Sequence, residues 1–141
     1  MRDAIDLSPI AFVRNGISSK PDDWNTVRSE LVFYEEYVEG LLGIENLSHL
    51  WVIFGFHENK EVRLRVHPRN DPTNPIVGVF ASRSPTRPSK LGLTKVDLVG
   101  VEHNIVTVTG LDALDGSPVY DVKPGDTGTD YSRWSTGKLD K

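Results

Sequence analysis

Apolar residues along this chain recur in short blocks rather than at helical spacing. Residues 10–14 (IAFVR), 30–33 (ELVF) and 50–56 (LWVIFGF) are the first three. The third is apolar throughout and reads as a central strand buried on both faces. Residues 61–66 (EVRLRV) alternate strictly, setting Val62, Leu64 and Val66 on one face and Glu61, Arg63 and Arg65 on the other. Blocks at 77–81, 95–101, 105–111 and 119–122 complete eight candidate strands, with Asp115-Gly116 as the turn between the last two. Residues 34–47 (YEEYVEGLLGIENL) place Tyr37, Val38, Leu41, Leu42 and Ile44 at roughly helical spacing. Gly40 and Gly43 limit any helix there to about two turns. Eight short strands separated by turns predict a mainly β fold, an antiparallel barrel or sandwich with one or two short helices.

Length and composition narrow the classes. A chain of 141 residues, 38% hydrophobic and 26% charged, fits one globular domain. The strands place that domain over residues 1–124 and leave 125–141 as an extended polar tail whose Tyr131 and Trp134 are expected to dock on a neighbour. The absence of cysteine excludes disulfides, thiolate metal sites and cysteine nucleophiles. The first residues lack a basic region followed by a long apolar stretch, and the run at 50–56 is too short to cross a bilayer, so a cytoplasmic location without a membrane partner is expected.

Charge is uneven. The net value is −4, which argues against a strongly nucleic-acid-binding protein, yet residues 60–95 carry eight Lys/Arg against Glu61 and Asp71. That segment is +6 on a remainder of −10, so an anionic partner would be attracted locally; a merely solvated basic face fits the same count. Within it, residues 78–94 (GVFASRSPTRPSKLGLT) set Arg83 and Arg87 beside Pro85 and Pro88. Prolines lower the entropy lost on ordering a loop, and guanidinium forks suit carboxylate, phosphate or an adenine face. The loop therefore reads as a binding device.

Other chemistry is mostly absent. There is no GxGxxG or Walker glycine loop, no GxSxG around Ser84, and no HExxH or HxH spacing among His49, His57, His67 and His103, so no metal is expected. His57 emerges from the apolar run at a sheet end, as a hydrogen-bonded rim residue or as a site residue. Trp24 is a stacking platform or a loop anchor. Asp112 and Asp115 are strand-end carboxylates.

Three segments in order, residues 45–57 (ENLSHLWVIFGFH), 67–88 (HPRNDPTNPIVGVFASRSPTRP) and 110–124 (GLDALDGSPVYDVKP), resemble signatures of the TsaA/TrmO-like family, and the similarity spans about residues 10–124. The resemblance implies a small β-barrel, a homodimer with the cofactor near the subunit interface, and S-adenosylmethionine-dependent methylation of threonylcarbamoyladenosine beside the tRNA anticodon. It implies cofactor contacts from His57 and Glu58, from Arg83, from Leu93, and from Gly110, Leu111, Asp112 and Ala113, with residues 21–24, ending at Trp24, as a further wall. No catalytic base follows from it; Asp112 and Tyr120 are candidates. The family's usual loop continues RPNPIG, whereas this chain reads RPSKLG at residues 87–92, which leaves loop rigidity and substrate choice open. Methylation of a small metabolite, or a non-catalytic S-adenosylmethionine-binding module, would use the same residues.

Overall fold

The computed structural model describes residues 2–126. Six strands close an antiparallel barrel, β1 (Ala11–Arg14), β2 (Arg28–Phe33), β3 (His49–Gly55), β6 (Leu91–Glu102), β7 (Ile105–Thr109) and β8 (Pro118–Pro124), in the order β1-β2-β7-β6-β3-β8. A separate two-stranded ribbon, β4 (Arg65–Val66) with β5 (Val77–Gly78), lies in the excursion between β3 and β6. Closure removes free sheet edges from the barrel.

Inward positions follow the period of two. Ala11 and Val13 of β1, Leu31 and Phe33 of β2, Leu50, Val52 and Phe54 of β3, and Val106 and Val108 of β7 are all buried. Leu41 and Ile44 plug the mouth where β3 begins, and Leu111 and Ala113 plug the mouth where it ends. At the usual 25 cal/mol per Å², each of the larger of these side chains contributes about 1.5–3 kcal/mol of transfer free energy.

Three strand expectations need correction, among them the block at 77–81, of which only Val77–Gly78 is strand and Val79–Ala81 is a 3-10 turn. Strand β3 is central, pairing with β6 and β8, but it is not buried on both faces: Trp51 and Ile53 point outward and are half-buried. Residues 61–66 do not form a six-residue strand; only Arg65–Val66 pairs, and Leu64 is 62% exposed. The alternation is real, but no barrel neighbour faces it. The helical stretch at 34–47 resolves into two 3-10 segments, Glu35–Leu41 and Ile44–Asn46, separated by Gly43 at φ 87°, a left-handed conformation that glycine adopts freely.

The excursion is tied to itself at several points. The Arg63 amide donates to the Thr86 carbonyl at 2.8 Å and that of Val79 to the Leu64 carbonyl at 2.9 Å. Arg87 clamps its own loop, its Nη1 donating to the carbonyls of Ser82 and Ser84 at 3.0 Å each. Lys90 Nζ reaches back to the Glu61 carbonyl. At the barrel's other end, the Gly125 amide donates to the His49 carbonyl, and the Asp126 carboxylate accepts from the amides of Ser48 and His49. Tyr131 and Trp134 lie outside the described residues.

Candidate cofactor site

The end of β3 builds the floor of the site. Phe54 points into the barrel and Phe56 lies two residues on, their rings edge to face at 5.3 Å and 76°. Gly92, directly across in β6, gives the Phe54 ring its seat: a Cβ there would stand 2.5 Å from Cζ. Just past the strand, the Ser117 hydroxyl reaches the Leu114 carbonyl at 2.7 Å and lies 3.3 Å from His57 Nδ1. The other ring nitrogen faces Glu58 Oε1 at 3.2 Å.

Two further segments close over this floor. Arg83 reaches across from its loop to donate through Nη2 to the Leu93 carbonyl on β6. Asp112, between β7 and β8, accepts through Oδ1 from the Thr94 hydroxyl, also on β6. The loop bearing Asp112 is pinned from behind. Asn15 Nδ2 donates to the Ala113 carbonyl at 3.0 Å and to the buried Ser29 hydroxyl at 2.9 Å. Asp115 Oδ1 accepts from the amides of Asn15 and Gly16 at 2.8 and 3.0 Å. Those amide bonds, that of Gly16 foremost, hold the Asp115 carboxyl below the ordinary aspartate pKa.

The result is one cavity of about 740 Å³, within the size range of small-molecule sites. His57, Glu58, Arg83, Asp112 and Ala113 line it together, and Trp24 forms a wall. Leu93 lies in an adjoining cleft of about 180 Å³ that shares Phe54, Phe56, Arg83 and Asp112. Gly110 and Leu111 line neither, and the Leu111 side chain is buried in the core. Tyr120 opens onto a different cleft, beside Gly55 and Lys90, apart from Asp112. Among the described residues, no group of three or more His, Asp or Glu side chains is placed to hold a metal ion, and no helix is long and apolar enough to cross a membrane.

Residues 11–131 match the family model described as the tRNA-methyltransferase O N-terminal domain. The chain belongs to this family. A relative from Archaeoglobus fulgidus, named S-adenosyl-L-methionine-binding protein, is 38% identical over 122 residues, or 83% of this chain and 86% of its own. The tRNA (adenine(37)-N6)-methyltransferase of Mus musculus is 41% identical over 85 residues, 60% of this chain and 20% of that enzyme. Among solved structures, TrmO from Pseudomonas aeruginosa matches with a TM-score of 0.70 at 31% identity, over 91% of this chain and 60% of that one. The present chain therefore spans about three-fifths of that solved protein and a fifth of the mouse enzyme.

Within the tRNA-methyltransferase O family frame, the altered loop acquires a physical reading. Lys90 stands at φ 56°, a region closed to proline, so the RPSKLG loop cannot follow the path of RPNPIG at that residue. Its amine instead ties residues 59–61 to the loop, through the Glu61 carbonyl and, at 3.4 Å, Asn59 Oδ1. Cavity residues with no mark in the sequence include Phe56, Ser117 and Lys20. Phe56 was hidden in an apolar run that read as core. Ser117 is recognisable only from its partner, because its spacing from His57 is 60 residues.

Proposed function

We propose that this protein is an S-adenosylmethionine-dependent methyltransferase that methylates the exocyclic amine of threonylcarbamoyladenosine beside the tRNA anticodon. One observation carries the reading. Residues from three distant segments, His57 and Glu58, Arg83, and Asp112 with Ala113, converge on one cavity with aromatic walls. The names borne by its relatives point the same way. The donor set fits the cofactor: an arginine fork suits its carboxylate, carboxylates suit ribose hydroxyls or its ammonium group, and Trp24, Phe54 and Phe56 offer apolar faces to adenine. When bound, the cofactor supplies an electrophilic methyl on a sulfonium. The chain's own residues align the amine with it and exclude water, and alignment alone contributes several kcal/mol to the rate.

The working form is a homodimer. Phe80 is 76% exposed, and Val62, Leu64, Ile76 and Leu93, all in or next to the same excursion, are also exposed. Several exposed apolar side chains concentrated in one excursion of a small domain favour an interface, and a second copy placed there would wall the cavity. Sedimentation at micromolar concentration should give twice 15.7 kDa; a monomer with full cofactor affinity would contradict it. Calorimetry with S-adenosylmethionine tests the cofactor reading: saturable binding at one site per subunit, unchanged by EDTA, is expected. No heat and no thermal protection at millimolar cofactor would end it.

A further inference from the structure

The loop that walls the cofactor cavity has a second side. Arg83 and Pro85 line the large cavity, whereas Ser84 and Thr86, the intervening residues, line a separate cleft of about 150 Å³. Glu61 faces the first cavity and Arg63 the second. The remaining side chains of the cleft include Arg65, His67 and Asn70 from the ribbon and the turn after it. The cleft is about a fifth the size of the neighbouring cavity, and of a scale that suits one tetrahedral oxyanion.

Its chemistry is dominated by donors, two arginines beside neutral polar side chains. The Arg65 side chain has no acceptor among the described residues, so all five of its N–H groups are available. Arg63 spends one Nε–H and one Nη2–H on Glu61 Oε1, at 2.9 and 2.8 Å, which leaves three. The hydroxyls of Ser84 and Thr86 share one mutual bond of 2.8 Å, so one of their two protons remains to donate. His67 is held as a wall by its Nδ1–H on the Asn74 carbonyl at 2.8 Å. The nearby carboxylates are already engaged. Glu61 sits on Arg63, and Asp71 accepts from the amide and hydroxyl of Thr73 at 2.9 and 2.6 Å.

We propose that this cleft is a phosphate subsite: it seats a backbone phosphodiester of the tRNA whose adenosine enters the cofactor cavity next door. The assignment rests on the tRNA reading given above. Two guanidinium groups and a hydroxyl recognise a phosphate through charge-assisted bonds. Because both cavities share the 83–86 wall, whose successive Cα atoms are about 3.8 Å apart, the phosphate sits within a few residue lengths of the methyl donor. A contact here positions the strand without reading its sequence.

Two measurements on the full chain decide the matter. In the first, Arg65→Gln and Arg65→Glu are assayed for tRNA methylation and cofactor binding, with Lys123→Gln on β8 as the control. The subsite predicts a KM for tRNA raised several-fold by Gln and more than about ten-fold by Glu, with cofactor Kd unchanged and the salt slope shallower by about 1. In the second, inorganic phosphate is titrated at constant ionic strength against chloride while the Nε–H resonances of Arg63 and Arg65 are followed. Saturable shifts that Arg65→Glu abolishes support the site. An unchanged KM and salt slope in an active enzyme overturns it, as does a titration that moves neither resonance. A chain that binds cofactor but neither binds nor methylates tRNA ends the tRNA reading. The phosphate titration then decides the cleft alone: saturable shifts keep it as an anion site for another phosphate ester, and their absence removes it.

Discussion

Replacing Gly92 by alanine tests how the barrel and the cavity depend on one another. A Cβ at this position would lie 2.5 Å from Phe54 Cζ and 2.8 Å from both Cε atoms. Ordinary carbon–carbon contact begins near 3.5 Å, so the ring must retreat by about 1 Å. Phe54 is 1% exposed and packs edge to face on Phe56, so the ring can retreat only by disturbing that pair or by intruding on the cavity it lines. Overpacking of this kind costs about 1–3 kcal/mol. For a domain of this size, at about 4 °C per kcal/mol, Tm should fall by about 4–12 °C. Because Phe54 and Phe56 both line the cofactor cavity, S-adenosylmethionine affinity should fall with it. Urea unfolding followed by tryptophan fluorescence measures the first effect and calorimetry the second. Gly100→Ala in the same strand, where a Cβ meets nothing within 4 Å, is the control and should stay within about 0.5 kcal/mol. Adding Phe54→Leu to Gly92→Ala should recover about 1 kcal/mol or more relative to additivity, since the clash leaves with the ring. A Gly92→Ala protein as stable as the wild type, with no coupling to Phe54, would refute the packing argument.

Arg83→Ala should weaken cofactor binding by about 1.5–3 kcal/mol, the scale of a charge-assisted bond, whereas Arg63→Ala, on the far side of the shared wall, should not; equal effects in calorimetry would misplace the site. Lys90→Pro, which restores the family's residue, should destabilise by about 2–3 kcal/mol, because proline cannot adopt φ 56° and would lose the amide bond to the Arg87 carbonyl; Lys90→Gly should stay within about 1 kcal/mol, both read by urea midpoints. Asp115→Ala should cost about 1–2 kcal/mol at neutral pH by freeing the amides of Asn15 and Gly16. Because the folded carboxyl is depressed, that contribution is full above the unfolded value of 3.8 and is lost as pH falls through the folded one, so the gap between mutant and wild type should close on acidification; a gap that persists at low pH would contradict the assignment.

Much of the barrel was legible because its strands keep strict alternation. Val13, Leu31, Val106 and Val108 fall on inward positions that the period of two marks without help. Strand β6 was harder: it begins at Leu91, four residues before the apolar block that announced it, because Gly92 is small for the sake of Phe54 and carries no hydrophobic signal. The alternation at 61–66 misled for the opposite reason. Its apolar face is genuine, but Val62 and Leu64 are exposed rather than packed on the barrel. At the site, local sequence supplied residue types but not their meeting. His57 and Ser117, or Thr94 and Asp112, come together only through barrel closure, and the family resemblance rather than spacing brought Asp112 and Ala113 beside Arg83. The resemblance named Leu111 as well, whose side chain the fold commits to the core.

Incubation of the purified chain with methyl-labelled S-adenosylmethionine and total tRNA, followed by nucleoside analysis, tests the central claim most directly. The account predicts label in a single nucleoside, on the exocyclic nitrogen of threonylcarbamoyladenosine, abolished in Asp112→Ala and Arg83→Ala proteins that remain folded. Saturable cofactor binding with no label in any tRNA fraction would contradict it and leave a binding module or a small-molecule methyltransferase in its place.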